Sequence, residues 1–321
     1  MNNNIFTYIY NLLFINKSND NIILKELFII AFLVIIYYVY MNYVDDTNIL
    51  YEHEGFTQTY PYIYLKNEKI YDDFYNEIYD IIYENYERIP LEIEYIIKIT
   101  QPTNESKILI LPSTTGIMVN EFLKYNYKCV GLESSQSMIN YSNKKYPNAL
   151  IINDTMIDPM CFNKKLFTHI VCNNFNFYKY KEKEIFFKHC HYWLKPNGYL
   201  IVHIIDSEKF NTIIPVANPT LCKNINNNVN ERIKKCNVNF LGFQYNMEYI
   251  FKDNNVMTLK EKFIDKKTNN IREQEQIFFM KNKEEIEKMA KINGFHLHSK
   301  TNMKKINNDE YQYIYIFEKI H

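Results

Sequence analysis

The chain has 321 residues, of which 47% are hydrophobic and 16% aromatic, and its 37 basic side chains are balanced by 37 acidic ones. This length is sufficient for one large domain or two small ones, and only six glycines and nine prolines exclude collagen-like and Gly/Pro-rich disordered classes. Because the net charge is zero, the chain lacks the basic field that holds nucleic acid, and we expect no nucleic-acid partner.

A long apolar run lies near the N-terminus. Residues 27–44 read LFIIAFLVIIYYVYMNYV and contain no ionisable side chain other than tyrosine. As a helix, 18 residues reach about 27 Å, close to the ~30 Å of a bilayer's hydrocarbon core. The run therefore predicts a single transmembrane helix within an N-terminal region, residues 1–46, and hence a single-pass membrane protein whose orientation stays open. A buried core helix or an uncleaved signal sequence is the alternative.

A predicted linker, residues 47–70, precedes a domain over residues 71–321. The domain begins with YDDFYNEIYDIIYENYERIP, in which aromatic and isoleucine residues recur at helical spacing, so we expect an amphipathic helix that ends before Pro90. From Lys107 onwards, short apolar runs alternate with helical stretches, namely KILIL, KCVGL, ALIIN, THIVC and YLIVHII. This alternation predicts a doubly wound, mostly parallel α/β sheet, which binds ligands at the carboxyl ends of its strands.

The pattern changes in the last third of the chain. Apolar and polar residues alternate over Phe243–Phe251, and turn residues separate this run from two further ones, so we expect an antiparallel β insertion over about residues 240–280. A helix over Glu284–Ile292, a stop at Gly294 and two final strands, HLHSK and YQYIYIFEK, complete the predicted domain.

The six cysteines are spaced singly along the chain. No Cys-x-x-Cys pair occurs, and no histidine lies at zinc-ligand spacing, which argues against a zinc site. We therefore expect reduced thiols and no bound metal.

Several motifs in the expected sheet resemble those of the class I S-adenosylmethionine-dependent methyltransferases, a Rossmann-like family, from about Tyr71 to the C-terminus. KCVGLESSQSMINYS is similar to the family's second strand and the turn after it, and KPNGYLIVHII to its Leu-Lys-Pro-Gly-Gly turn and fifth strand. KILILPSTTG occupies the place of the first strand and its glycine-rich loop, but only Gly116 fills a family glycine position. Ile110, Pro112 and Thr114 replace the acidic residue and the other two glycines.

The resemblance implies S-adenosylmethionine as cofactor and assigns roles to strand-end residues. Glu133 would accept hydrogen bonds from both ribose hydroxyls and Asp154 one from the adenine amino group, whereas a solvated acid and a helix cap are the ordinary alternatives for these positions. The residues expected to bind the cofactor are Leu111, Pro112, Ser113, Thr115, Gly116, Glu133, Ser134, Met138, Asp154, Thr155, Met156 and Asn173.

The predicted function is methyl transfer by a membrane-tethered enzyme to a small-molecule, lipid or protein acceptor. Such an enzyme mainly positions its reactants, and no pattern identifies a catalytic base, although His203 on the fifth strand points towards the expected pocket. The alternative is a catalytically silent protein of the same fold that binds or scaffolds at a membrane, which the departures at Ile110, Pro112 and Thr114 favour. A dehydrogenase is disfavoured because no Gly-x-Gly-x-x-Gly follows a strand.

Overall fold

The computed structural model describes residues 29–38, 55–83, 88–210, 234–253, 255–307 and 309–320. The chain divides into two compact units, Met1–Leu50 and Tyr51–His321. In the first unit, the described residues form one helix over 29–38 with exposed side chains. No helix among the described residues is long and apolar enough to cross a membrane.

The predicted transmembrane helix over 27–44 is therefore wrong, and the membrane partner inferred from it loses its basis. Among the residues of the predicted span, the structure describes 29–38, and these are helical. The remaining residues of the predicted span lie outside the part of the chain that the structure describes.

The second unit contains alternating strands and helices, followed by long antiparallel strands. In chain order its described elements are β1 (Tyr62–Lys66), α1 (Asp73–Ile82), α2 (Arg88–Thr100), β2 (Lys107–Ile110), α3 (Ile117–Lys124), β3 (Lys128–Glu133), α4 (Gln136–Lys145), β4 (Ile151–Asn153), β5 (Phe167–Cys172), α5 (Asn176–Lys179), α6 (Lys183–Trp193), β6 (Leu194–Ile205), β7 (Lys235–Asn239), β8 (Phe243–Asp253), β9 (Val256–Asp265), β10 (Ile271–Phe279), α7 (Lys283–Ile292), β11 (Phe295–Met303), α8 (Lys304–Asn307) and β12 (Asp309–Lys319). Short 3₁₀ turns lie at Asn67–Ile70 and Pro159–Cys161.

A seven-stranded mixed sheet has the order β11-β12-β6-β5-β2-β3-β4. Strands β2 to β6 pair in parallel, and β12 joins β6 and β11 in antiparallel fashion. Apolar side chains cover both faces of the central strand β2, because Ile108 and Ile110 pack towards α2 and α3 whereas Leu109 packs on the opposite face. The predicted doubly wound, mostly parallel sheet is thus present, and the strand order reverses beside β2, where such sheets bind ligands.

The antiparallel insertion forms a second sheet with the order β1-β10-β9-β8-β7. Its edge strand β1 comes from within the predicted linker, residues 47–70, and pairs in parallel with β10. Helix α1 packs on this sheet through a buried polar cluster: the hydroxyls of Tyr75, Tyr83 and Tyr245 donate hydrogen bonds of 2.7–3.0 Å to the Glu261 carboxylate. Some aromatic residues of this segment, Tyr75 and Tyr83, are therefore also hydrogen-bond donors to the buried Glu261 side chain.

Candidate functional site

A cavity of about 220 Å³ lies at the carboxyl ends of β2, β3, β4 and β5. Its wall is built from loop residues that follow these strands and from the segment before α1. The lining residues are Glu68, Tyr71, Leu111, Pro112, Thr114, Leu132, Glu133, Ser134, Met138, Asp154, Thr155, Met156, Ile157, Asn176, Lys179 and Tyr180. This is the position at which a doubly wound sheet places its ligand.

A larger cavity, of about 640 Å³, lies on the second sheet but has a different character. Four of its lining charges form ion pairs with one another, since Lys235 lies 2.8 Å from Glu248 and Lys262 lies 2.9 Å from Glu273. None of its lining residues follows a strand of the parallel sheet. We therefore place the candidate site in the smaller cavity, where the polar groups converge.

The loop after β2 adopts a left-handed backbone conformation at Thr114, a residue other than glycine. Thr114 has a φ of +50°, in the left-handed region that a β-branched residue adopts at a cost of about 1–2 kcal/mol. Its hydroxyl donates to the Ser113 carbonyl at 2.8 Å, and its backbone N–H donates to Oε2 of Glu133 at 2.9 Å. Pro112 and Thr114 both line the cavity, so their side chains occupy space beside any ligand.

The Glu133 side chain is a buried part of the cavity wall that is fixed by backbone hydrogen bonds. Only 5% of the residue is exposed, and its carboxylate accepts backbone N–H bonds from Thr114, Ser134 and Ser135 at 2.9–3.0 Å. Burial raises the pKa of Glu133 to about 6, although the N–H donors of Ser135 and Thr114 and the Lys179 ammonium group oppose the shift. A carboxylate has about four acceptor positions, so roughly one remains for a ligand hydroxyl unless a backbone bond is shared.

Three predicted residues of the first loop pack behind the cavity. Among the described residues, Ser113, Thr115 and Gly116 do not line it. The Thr115 hydroxyl donates to the buried Asp80 carboxylate, which also accepts from Lys145 at 2.8 Å. Gly116 has a φ of +83° at the start of α3. These residues therefore fix the shape of the loop.

Asp154 and the two residues after it line the far side of the cavity. Its carboxylate is half-buried and accepts the Thr155 backbone N–H at 2.7 Å. The following 3₁₀ turn is capped by Asp158, which accepts from the Met160 N–H, so Asp154 is not the cap of that turn. Asp154 lines the cavity, and its contact with the adenine amino group remains a prediction.

Asn173 and His203 lie away from the cavity. They line a separate void of about 10 Å³ together with Glu92, and both residues are buried. Burial lowers the pKa of His203 to about 3, and the Arg88 guanidinium adds to this shift, so the imidazole is neutral at physiological pH. The structure thus places neither residue where it would meet a ligand in the cavity.

Of the twelve predicted residues, eight line the cavity: Leu111, Pro112, Glu133, Ser134, Met138, Asp154, Thr155 and Met156. Their role in cofactor binding remains a prediction. The structure adds residues outside the predicted set, chiefly Asn176 and Lys179 on α5 and Tyr71 before α1. Asn176 follows the end of β5, and its place after a strand is the feature of the sequence that indicates a position near the cavity.

Asn176 is completely buried, and neither atom of its side-chain amide has a hydrogen-bond partner within the described part of the chain. Such an orphaned amide costs about 1–3 kcal/mol unless a ligand or water satisfies it. Beside it, Nζ of Lys179 donates to the Tyr71 hydroxyl at 3.0 Å. Burial alone would lower the pKa of Lys179, but Tyr71 and the nearby Glu68 and Glu133 carboxylates raise it overall, so the ammonium group stays charged.

Comparison with known proteins agrees with this geometry. Residues 111–202 match the family described as "Methyltransferase domain". No curated protein matches the chain in sequence. The fold is similar to an S-adenosylmethionine-dependent methyltransferase from Clostridium acetobutylicum, with 16% identity, a TM-score of 0.57, and 77% of this chain and 96% of that chain covered.

Two further solved structures are similar. The CcbJ methyltransferase from Streptomyces caelestis shares 11% identity over 79% of this chain and 100% of its own, with a TM-score of 0.58. CalS10, an amino pentose methyltransferase from Micromonospora echinaspora solved with S-adenosylmethionine bound, shares 14% identity over 72% and 89%, with a TM-score of 0.51. The chain therefore has the fold of the class I S-adenosylmethionine-dependent methyltransferases, with its methyltransferase domain matched over residues 111–202.

Proposed function

We propose that this chain binds S-adenosylmethionine in the strand-end cavity and transfers its methyl group to an acceptor. One observation carries the proposal: the cavity wall combines the Glu133 carboxylate at the end of β3, the Asp154 carboxylate after β4 and the buried Asn176 amide after β5, which has no hydrogen-bond partner among the described residues. The binding of S-adenosylmethionine by CalS10, which has the same fold, supports this assignment.

The residues present suit the cofactor's polar groups. Glu133 and Asp154 offer acceptors for ribose hydroxyls and an adenine amino group, and Asn176 offers both a donor and an acceptor. The Lys179 ammonium group supplies positive charge for a carboxylate such as that of the methionine moiety. When bound, S-adenosylmethionine supplies an electrophilic methyl group, and the contribution of the chain is to hold and orient the reactants and to exclude water.

The acceptor is proposed only as a class, namely a small-molecule, lipid or protein nucleophile. Among the cavity's described side chains, Tyr71 has its pKa raised by burial, so it is a neutral phenol at physiological pH and not a strong base. An acceptor that is already nucleophilic when neutral, such as an unprotonated amine, would need positioning but no strong base.

A catalytically silent binding protein of the same fold is the second candidate. The side chains of Pro112 and Thr114 line the cavity, and its volume of about 220 Å³ is below the ~300–1,000 Å³ of most ligand pockets. A cavity narrowed in this way would bind the cofactor weakly, or would hold it in a position unsuited to transfer.

Two measurements on the full chain separate these candidates. Calorimetric titration with S-adenosylmethionine and S-adenosylhomocysteine should give saturable binding, with NAD as a non-binding control. Formation of S-adenosylhomocysteine is then followed with amine, lipid and peptide acceptors. Absence of binding contradicts the proposal itself, whereas binding without turnover for any acceptor class favours the silent protein.

A further inference from the structure

Three potential metal ligands cluster at the edge of the seven-stranded sheet. His296 and His298 lie on the edge strand β11, and Glu318 lies on its neighbour β12. We propose that these three side chains form a binding site for a divalent transition-metal ion such as Zn²⁺. The site is independent of the proposed methyl transfer.

The ligand atoms have the spacing of a first coordination shell. Nε2 of His296 lies 3.3 Å, and Nδ1 of His298 lies 3.1 Å, from Oε2 of Glu318. All three ligand atoms lie within 4.8 Å of one another. Two ligands bound at about 2.0–2.1 Å to a tetrahedral zinc ion are about 3.3 Å apart. One ion can therefore contact both imidazoles and the carboxylate after small side-chain movements.

The strand pairing produces this arrangement. His296 is the direct cross-strand partner of Glu318, and His298 lies inside the register shift between Leu297 and Ser299, where Nδ1 of its ring also reaches Oε2 of Glu318. The Tyr199 ring packs edge-to-face on the His298 ring, with 5.1 Å between the ring centroids. The paired backbone and this ring contact hold the three ligands together before any ion binds.

The donor set indicates the kind of metal. Two imidazoles and one carboxylate suit Zn²⁺, Ni²⁺ or Cu²⁺, whereas Mg²⁺ and Ca²⁺ prefer oxygen ligands alone. The His296 and His298 side chains are 50% and 33% exposed, which leaves room for water to complete the coordination. Without a metal, the same contacts would be ordinary hydrogen bonds from the two imidazoles to one carboxylate, and this is the alternative to be tested.

The position of the site indicates its consequence. Glu318 pairs with Tyr199 in the first half of β6, and Tyr199 pairs with His169 in the first half of β5. The cluster therefore lies towards the amino ends of the parallel strands, opposite the edge that carries the cavity. A bound ion would link the last two strands of the chain and stabilise the folded state, and it would not meet the reacting groups.

Zinc titration of the full chain by calorimetry tests the site. We expect one equivalent to bind, and His298→Ala and Glu318→Gln each to weaken that binding at least about tenfold. Lys300→Ala is the matched control, because this exposed residue lies on the same strand outside the cluster. Zinc should raise the melting temperature of the wild type and of the control, but not that of the two ligand variants.

A second measurement needs no variant. Zinc should protect His296 and His298 of the wild type from modification by diethyl pyrocarbonate, as mapped by mass spectrometry, while Mg²⁺ should not. The chain has eight histidines, so binding elsewhere is a real alternative. Ligand variants with wild-type zinc affinity, or equal modification of both histidines with and without zinc, would overturn the proposal.

Discussion

Replacement of Glu133 by glutamine tests the central contact of the proposed cofactor site. The change keeps the size of the side chain but removes its charge, in a residue that is only 5% exposed. The pKa rise from 4.5 to about 6 corresponds to about 2 kcal/mol of unfavourable burial at neutral pH. Because the pKa of Glu133 is higher in the folded state, the wild type is more stable by this amount below about pH 4.5. This extra stability is lost as the pH rises through about 6.

Glutamine also introduces a cost of its own. One carboxylate oxygen accepts from Ser134 and Ser135 and the other from Thr114, so the new NH₂ group must face one of these N–H donors. An unmet buried donor costs about 1–3 kcal/mol, which roughly offsets the charge term. We therefore expect the melting temperature of Glu133→Gln at pH 7 to be close to that of the wild type, which makes the variant a clean probe of binding.

The expected loss is in cofactor affinity. A hydrogen bond to a charged group contributes about 1.5–3 kcal/mol, so the Kd for S-adenosylmethionine should rise about ten- to one-hundred-fold. The wild type should also lose affinity, by up to about tenfold per pH unit, as the pH falls below about 6, because the carboxylate becomes protonated. The glutamine variant should lack this pH dependence.

Calorimetry from pH 5 to pH 8 measures both effects. Glu77→Gln is the matched control, because it removes an exposed carboxylate from α1 that does not line the cavity. An unchanged Kd for Glu133→Gln, or a pH dependence shared by both variants, would refute the assignment of Glu133 to the ribose.

Three further outcomes are expected. The double variant Pro112→Gly/Thr114→Gly should bind S-adenosylmethionine more tightly than the wild type if loop side chains narrow the cavity, and weaker binding in the same titration would show a loop adapted to the ligand. Asn176→Leu should raise the melting temperature by removing an orphaned amide, yet weaken cofactor binding; equal affinity would exclude Asn176 from the site. Gly116→Ala should lower the free energy of unfolding, measured by urea denaturation, by at least about 1 kcal/mol. The reason is that Gly116 has a φ of +83° and that the added Cβ would lie 2.1 Å from Oγ of Ser142. Unchanged stability would contradict this geometry.

The parallel sheet was predictable because its signals are local. Continuous apolar runs mark strands buried on both faces, and polar residues directly after them mark the edge where ligands bind. The family resemblance then singled out Glu133 and Asp154 among the strand-end residues, and both line the cavity. The apolar composition of residues 27–44 led to a wrong prediction of a transmembrane helix, because no helix among the described residues is long and apolar enough to cross a membrane.

Contacts between distant segments were not predictable in the same way. Tyr71 and Lys179 meet at the cavity although 108 positions separate them, and Glu318 meets His298 across 20 positions. Composition and periodicity carry no information about such pairs, because strand register and helix packing bring them together. The sequence by itself determined the α/β class and the acidic strand ends. Only the tertiary structure decided that the buried Asn176 amide has no hydrogen-bond partner among the described residues, and that Pro112 and Thr114 form part of the cavity wall. Both features depend on how several loops close around one space.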